Sequence, residues 1–177
     1  MLRQVLEKIT EEPDLGIQQE LIEGLRNTYP HNIQIMDSDF PLERYTCIVH
    51  TLGLVENEKY GAIAKFERDR NGCPVYAGTE FIQYLLDRNL LKKKAQPEKN
   101  DIAIYFEYDD PKHAGIYIAD GVIESKWGDQ LLYRHFQFEV PSSYGDRISY
   151  YQPLLTDEVI EYFYDFAESK GVPFKYE

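Results

Sequence analysis

The run NDIAIYFEYDDPKHAGIYIADGVIESKWG, residues 100–128, leaves the chain few ways to fold. Ile102, Ile104 and Phe106 alternate with a period of two, which predicts a first strand over Asp101–Tyr108. A second strand is predicted over His113–Ala119, and a third from Val122 towards Trp127. Between these two, Asp120-Gly121 is the dipeptide that a type I′ hairpin turn favours, because both central residues need φ > 0. The polar turn Asp109-Asp110-Pro111-Lys112 delivers His113 to the mouth of a central strand. A histidine held there is a structural residue or half of a catalytic pair.

The flanking segments read mostly as helices. Leu2, Val5, Leu6 and Ile9 recur at helical spacing up to Pro13. Asp14 can cap a second helix with Ile17, Leu21, Ile22 and Leu25 inward. Thr46 is placed to cap a short helix through Val49 and Leu52, with Cys47 in its first turn and Gly53 as its breaker. Residues 56–78 show no firm period and are expected to be a loop with a short ordered piece. A helix capped by Thr79 is predicted through Leu91. Strands are predicted over Leu131–Val140 and Arg147–Gln152, and a closing helix from Thr156 to a cap at Gly171. Helices, then an antiparallel sheet, then a helix give an α+β fold class. One domain of 177 residues is expected: a helical brace or lid over 1–30, a core over 40–152, and a closing helix and tail over 153–177.

Charge narrows the partners. Nineteen basic against 31 acidic residues leave a net charge of −12, which repels nucleic-acid backbones and anionic membranes at long range. No apolar run approaches the ~20 residues a membrane helix needs, and the N-terminus lacks a signal core, so a cytoplasmic location is expected. Two cysteines are too few for a disulfide framework. Cys47 and His50 stand at i, i+3, but neither Cys73 nor His31 has the spacing to complete a zinc site, so neither metal nor cofactor is expected.

A thiol is a nucleophile as thiolate, and a helix N-terminus favours that form. Cys47 has the position, and His113 is the best of the four histidines to take its proton. Counting through the two-residue turn pairs Ala119 with Val122, Ile118 with Ile123 and Tyr117 with Glu124. That register puts Glu124 and Lys126 on the face of His113, Gly115 and Tyr117, with Glu124 as the group that orients the imidazole. A bulge would change it; Ser125 and His135 are the other candidates.

The order of a helix-opening Cys47 after Tyr45-Thr46, the strand QPEKNDIAIYF, then HAGIYIADG and a further polar strand resembles the NlpC-type cell-wall cysteine peptidases and amidases, a compact branch of the papain-like fold. It is closer to uncharacterised bacterial domains of that type, which carry Tyr-x-Cys before a short helix and Ser-Lys-x-Gly after the histidine strand. Here these are Tyr45-Thr46-Cys47 and Ser125-Lys126-Trp127-Gly128, followed by Ser143-Tyr144-Gly145. The likeness covers roughly residues 40–152. The Asp-Cys-Ser-Gly signature of the cell-wall enzymes is replaced by Thr-Cys-Ile-Val, and Glu124 stands where His, Asn or Gln is usual. The resemblance implies a hydrolase or acyl transferase on an amide- or peptide-containing substrate, with Cys47, His113 and Glu124 as its triad. Tyr45, Tyr117 and Trp127 would line the groove, and Tyr45 could add an oxyanion donor. The contrasting expectation is an inactive domain of the same fold, an inhibitor or immunity-type module whose acidic surface meets a basic protein. An acidic nucleic-acid mimic is a third.

Overall fold

The computed structural model describes residues 1–128 and 130–173; the last four residues of the expected tail lie outside the described residues. Among the described residues seven strands form one antiparallel sheet: β1 Gln34–Met36, β2 Lys93–Lys94, β3 Ile102–Glu107, β4 Asp110–Ala119, β5 Val122–Lys126, β6 Leu132–Phe136 and β7 Arg147–Tyr151. Their spatial order is β1-β6-β5-β4-β3-β7-β2, so β4, the histidine strand, is central. The six α-helices among the described residues are α1 Leu2–Ile9, α2 Leu15–Leu25, α3 Cys47–Thr51, α4 Glu58–Phe66, α5 Thr79–Asp87 and α6 Thr156–Ser169. The fold is α+β, as the order of elements predicted.

Alternation along β3 sorts the core into two layers. Ile102, Ile104 and Phe106 face a cluster built with α3, α4, α5 and α6, where Phe81, Phe163 and Phe166 meet at ring separations of 5.2–6.0 Å. Ala103 and Tyr105 face the other way, into a cluster with Leu6 and Ile9 of α1, Ile22 of α2, and Ile123, Trp127 and Tyr133. Burying such a large apolar side chain typically stabilises by about 1.5–3 kcal/mol.

Several local expectations are corrected. Residues 56–78 contain the regular helix α4, started by Asn57, whose side chain accepts from Tyr60 N at 3.0 Å. Its buried face is only Tyr60 and Ile63, too sparse for a period to show in sequence. Gly78 is the N-cap of α5 and Thr79 its first residue, and α5 ends at Asp87. Strand β6 stops at Phe136, because Glu139 turns back to accept from Phe136 N at 3.0 Å. Asp14 does cap α2, accepting from Gly16 and Ile17 N–H, and Gly171 closes α6 with φ +87°.

The hairpin turn has the expected signs, φ +50° at Asp120 and +81° at Gly121, and Ala119 pairs with Val122. Beyond that pair the register slips by one: Tyr117 faces Ile123 and Ile116 faces Glu124, leaving Ile118 as a bulge. A one-residue slip moves every following side chain to the opposite face. Glu124 and Lys126 therefore leave the face of His113, and Ser125 takes their place.

Candidate active site

Cys47 opens α3 against the centre of β4, within the layer that holds Ile104 and Ala114. Thr46 is extended at the N-cap position, but its hydroxyl makes no capping bond, so no side chain caps the first N–H groups of α3. Burial pushes the Cys47 thiol up; hydrogen bonds from the backbone of Ala114, Ile48 and Cys47 itself, and the Lys126 ammonium, pull it down without overcoming burial. The residue is 9% exposed.

Four more side chains surround this corner: His50, Glu124, Arg134 and Tyr45. His50 lies one turn along α3 from Cys47, a spacing that puts both on one side of a helix. Its Nε2 is 3.3 Å from Glu124 Oε1, an ion-pair distance without hydrogen-bond alignment. Arg134 Nε donates to Glu124 Oε2 at 2.9 Å. His50 first, and Arg134 after it, hold the Glu124 carboxyl below its usual range against partial burial. Tyr45 packs its ring 5.9 Å from His50 and 4.9 Å from Lys126 Nζ, which itself donates to Gly128 O at 3.2 Å. The Tyr45 hydroxyl is 2.5 Å from Ser38 Oγ. Since Ser38 gives its own proton to Phe40 O, Tyr45 donates to Ser38 and has no proton left for an oxyanion.

His113 is elsewhere. It pairs with Tyr105 and shares that residue's face, across the sheet from Cys47. Its ring lies flat on Tyr144, centroids 4.0 Å apart at 17°, and its Nε2 has no hydrogen-bond partner among the described residues. Burial, and then the charge of His135, lower its pKa well below the ordinary value, so the imidazole is neutral. The expected Cys47–His113 pair is not made, and the expected Glu124–His113 contact is replaced by Glu124–His50. Ser125 and His135 do meet on His113's face. His135 Nδ1 is 2.8 Å from Phe136 O, so it carries the proton, and the Ser125 hydroxyl donates to Nε2 at 2.8 Å. Trp127 is buried against Tyr133, and Tyr117 packs edge-on to Tyr150; neither lines a groove beside Cys47.

A family model matches residues 41–152, that of a domain of unknown function, DUF7689. The chain belongs to this family. No curated protein and no solved structure matches it. The matched segment spans α3 to β7, so both the Cys47 corner and the His113 face lie inside the family domain, and α1 and α2 lie before it. Among the described residues no three His, Cys, Asp or Glu side chains are grouped to hold a metal, and no helix is long and apolar enough to cross a membrane. A cavity of about 480 Å³ lies apart from both faces' histidines, between residues 69–80 and α6, lined by Asp69, Cys73, Tyr76, Phe166 and Lys170.

Sequence reasoning missed His50. The Cys-x-x-His spacing was legible, but only as half of a metal site, and nothing local announced the bulge that brings Glu124 to it.

Proposed function

We propose that the domain is a papain-like, NlpC-type cysteine hydrolase or acyl transferase acting on an amide-containing substrate, with His50 in place of His113 as its imidazole. What carries this reading is the place of Cys47 at the opening of α3, against the centre of β4, with the His50–Glu124–Arg134 row one turn away. In this reading His50 takes the proton as Sγ attacks the amide carbon, and Glu124 orients the ring and stabilises the imidazolium. The carbonyl oxygen becomes an oxyanion facing the N–H groups at the start of α3; one such donor typically lowers the barrier by about 3–4 kcal/mol. Collapse breaks the C–N bond, His50 returns its proton to the leaving amine, and the thioester passes its acyl group to water or to another nucleophile.

The test is alkylation of Cys47 by iodoacetamide across pH 4–10 in a Cys73→Ser background. Labelling of the folded protein with a midpoint that rises in His50→Ala and in Glu124→Gln but not in His113→Ala supports the reading. Labelling that appears only on unfolding ends it. A second reading then stands, favoured by the near-complete burial of the thiol: an inactive domain of this fold that binds a basic protein through its acidic surface, with a net charge of −12. That reading expects salt-sensitive association and tolerance of Cys47→Ser.

A further inference from the structure

The helix α1 grips the far side of the molecule through two side chains. Arg3 donates from Nε to Val140 O at 3.2 Å and from Nη2 to Pro141 O at 3.1 Å, Ser142 O at 3.4 Å and Gly145 O. One turn on, Glu7 accepts from Ser143 N at 2.8 Å and from Ser142 Oγ at 3.3 Å. The segment so held, residues 140–145, carries the Tyr144 ring that covers His113. Beneath it lies a continuous set of rings, Tyr105–His113–Tyr144–Trp127–Tyr133, with the Ser125–His135 pair against Trp127. Tyr105 Oη, His113 Nε2, Trp127 Nε1 and Tyr133 Oη all lack partners among the described residues. Opening this face would bring water to each of these groups.

The groups facing the two histidines offer a proton little compensation. Tyr105 approaches from β3, Ser125 from β5, Tyr133 from β6, Tyr144 from the 140–145 segment, and Tyr150 of β7 acts on Tyr105. From α1, Arg3 brings a positive charge towards Tyr105; Cys47 of α3, and after it Glu7 of α1, act on Tyr144. Glu139 acts on His135 and Asp146 on Arg3.

We infer that α1 and residues 140–145 form a proton-released clasp: protonation of His113 and His135 frees the Arg3–Glu7 grip and opens this face while the sheet and the helices of the other face stay folded. Closed, both imidazoles are held neutral by burial, His135 down to about 4. Opened to water, each returns towards the ordinary 6.5. The closed form is therefore fully favoured above pH 6.5 and loses its advantage as pH falls from 6.5 towards the closed-state values. Two units below 6.5, each histidine favours the open form about 100-fold.

Hydrogen exchange at pH 7.5, 5.5 and 4.5, corrected for intrinsic rates, tests this on the full chain, with Trp127 emission as a second signal because it is the only tryptophan. Protection in α1 and in 140–145 should fall up to about 100-fold per pH unit in the two-proton regime, with a red shift of Trp127, while α6 keeps its protection. Arg3→Gln should lower protection of the same two segments at every pH without changing the slope. The double variant His113→Gln/His135→Gln should lose the pH dependence. If it does not fold, His113→Gln alone should reduce the slope from two protons to one. Loss of protection in α6 together with α1, or a slope unchanged in either histidine variant, overturns the clasp.

Discussion

The two faces of one sheet have been solved by opposite means. On the α3–α6 face the interior is apolar, aromatic rings fill it, and the charged groups gather at the Cys47 corner with partners within reach: Glu124 between His50 and Arg134. On the α1–α2 face the polar groups are in the middle, two of them neutral histidines, and several hydroxyls and ring nitrogens have no partner among the described residues. Its cover is held by side chains gripping backbone carbonyls rather than by packing alone. The first face is built to stay shut and keep one charged corner; the second is closed at a cost that water or a proton relieves.

The largest effect that should separate them is on stability. Phe163 is fully buried and touches Tyr60, Phe81 and Phe166. Phe163→Ala should destabilise by about 3–5 kcal/mol, read by urea unfolding, with loss of far-UV and Trp127 signals in one transition. On the opposite face Tyr144→Ala should cost less globally, because its ring covers His113 rather than joining the helices, while raising exchange of 140–145. Equal global losses would remove the distinction between a packed face and a clasped one.

Gly115 gives the next test. A Cβ there would lie 2.6 Å from Ile123 Cγ2, 2.8 Å from Glu124 O and 2.9 Å from Ser125 Cβ. The close passage of β5 over β4 depends on that missing atom. Gly115→Ala should cost about 1–3 kcal/mol and push β5 away from β4. Because Glu124 rides on β5, Cys47 alkylation should respond as well. A variant as stable as the parent would mean that β5 has room to shift, and the two faces are less rigidly coupled than their shared strand implies.

Much of this was legible in the sequence, and the gaps have physical causes. The type I′ turn, the three central strands, the Asp14 and Gly171 caps and the α+β order all follow from local chemistry at Asp120-Gly121, Ile102-Ile104-Phe106, Asp14 and Gly171. What did not follow was a single bulged residue, Ile118, whose bulge moves Glu124 and Lys126 to the Cys47 side. Nothing in the run Gly115–Ala119 favours one register over the other, since Ile116, Tyr117 and Ile118 are all half-buried whichever face they take. Alternation alone therefore assigned His113 and Glu124 to one face, and no periodicity could have linked His50 to Glu124.

The smallest effect concerns the charged corner. Arg134 is 40% exposed at its side chain, so its pair with Glu124 is screened, and Arg134→Gln should cost no more than about 0.2–1 kcal/mol at neutral pH. Its signature is in pH dependence. Glu124 has a lowered folded-state pKa, so its contribution is complete above the ordinary 4.5 and is lost as pH falls through the folded value. Removing Arg134 takes away one of the groups that lower it, so acid unfolding of the α3–α6 face should begin at higher pH, still below 4.5 because His50 remains. The clasp on the other face starts to loosen two units higher, below 6.5, and should be indifferent to Arg134→Gln. Acid titration followed by Trp127 emission and by far-UV signal together should therefore give two separated steps, only the lower of which moves in the variant. A shift of both steps would mean that the faces titrate as one unit.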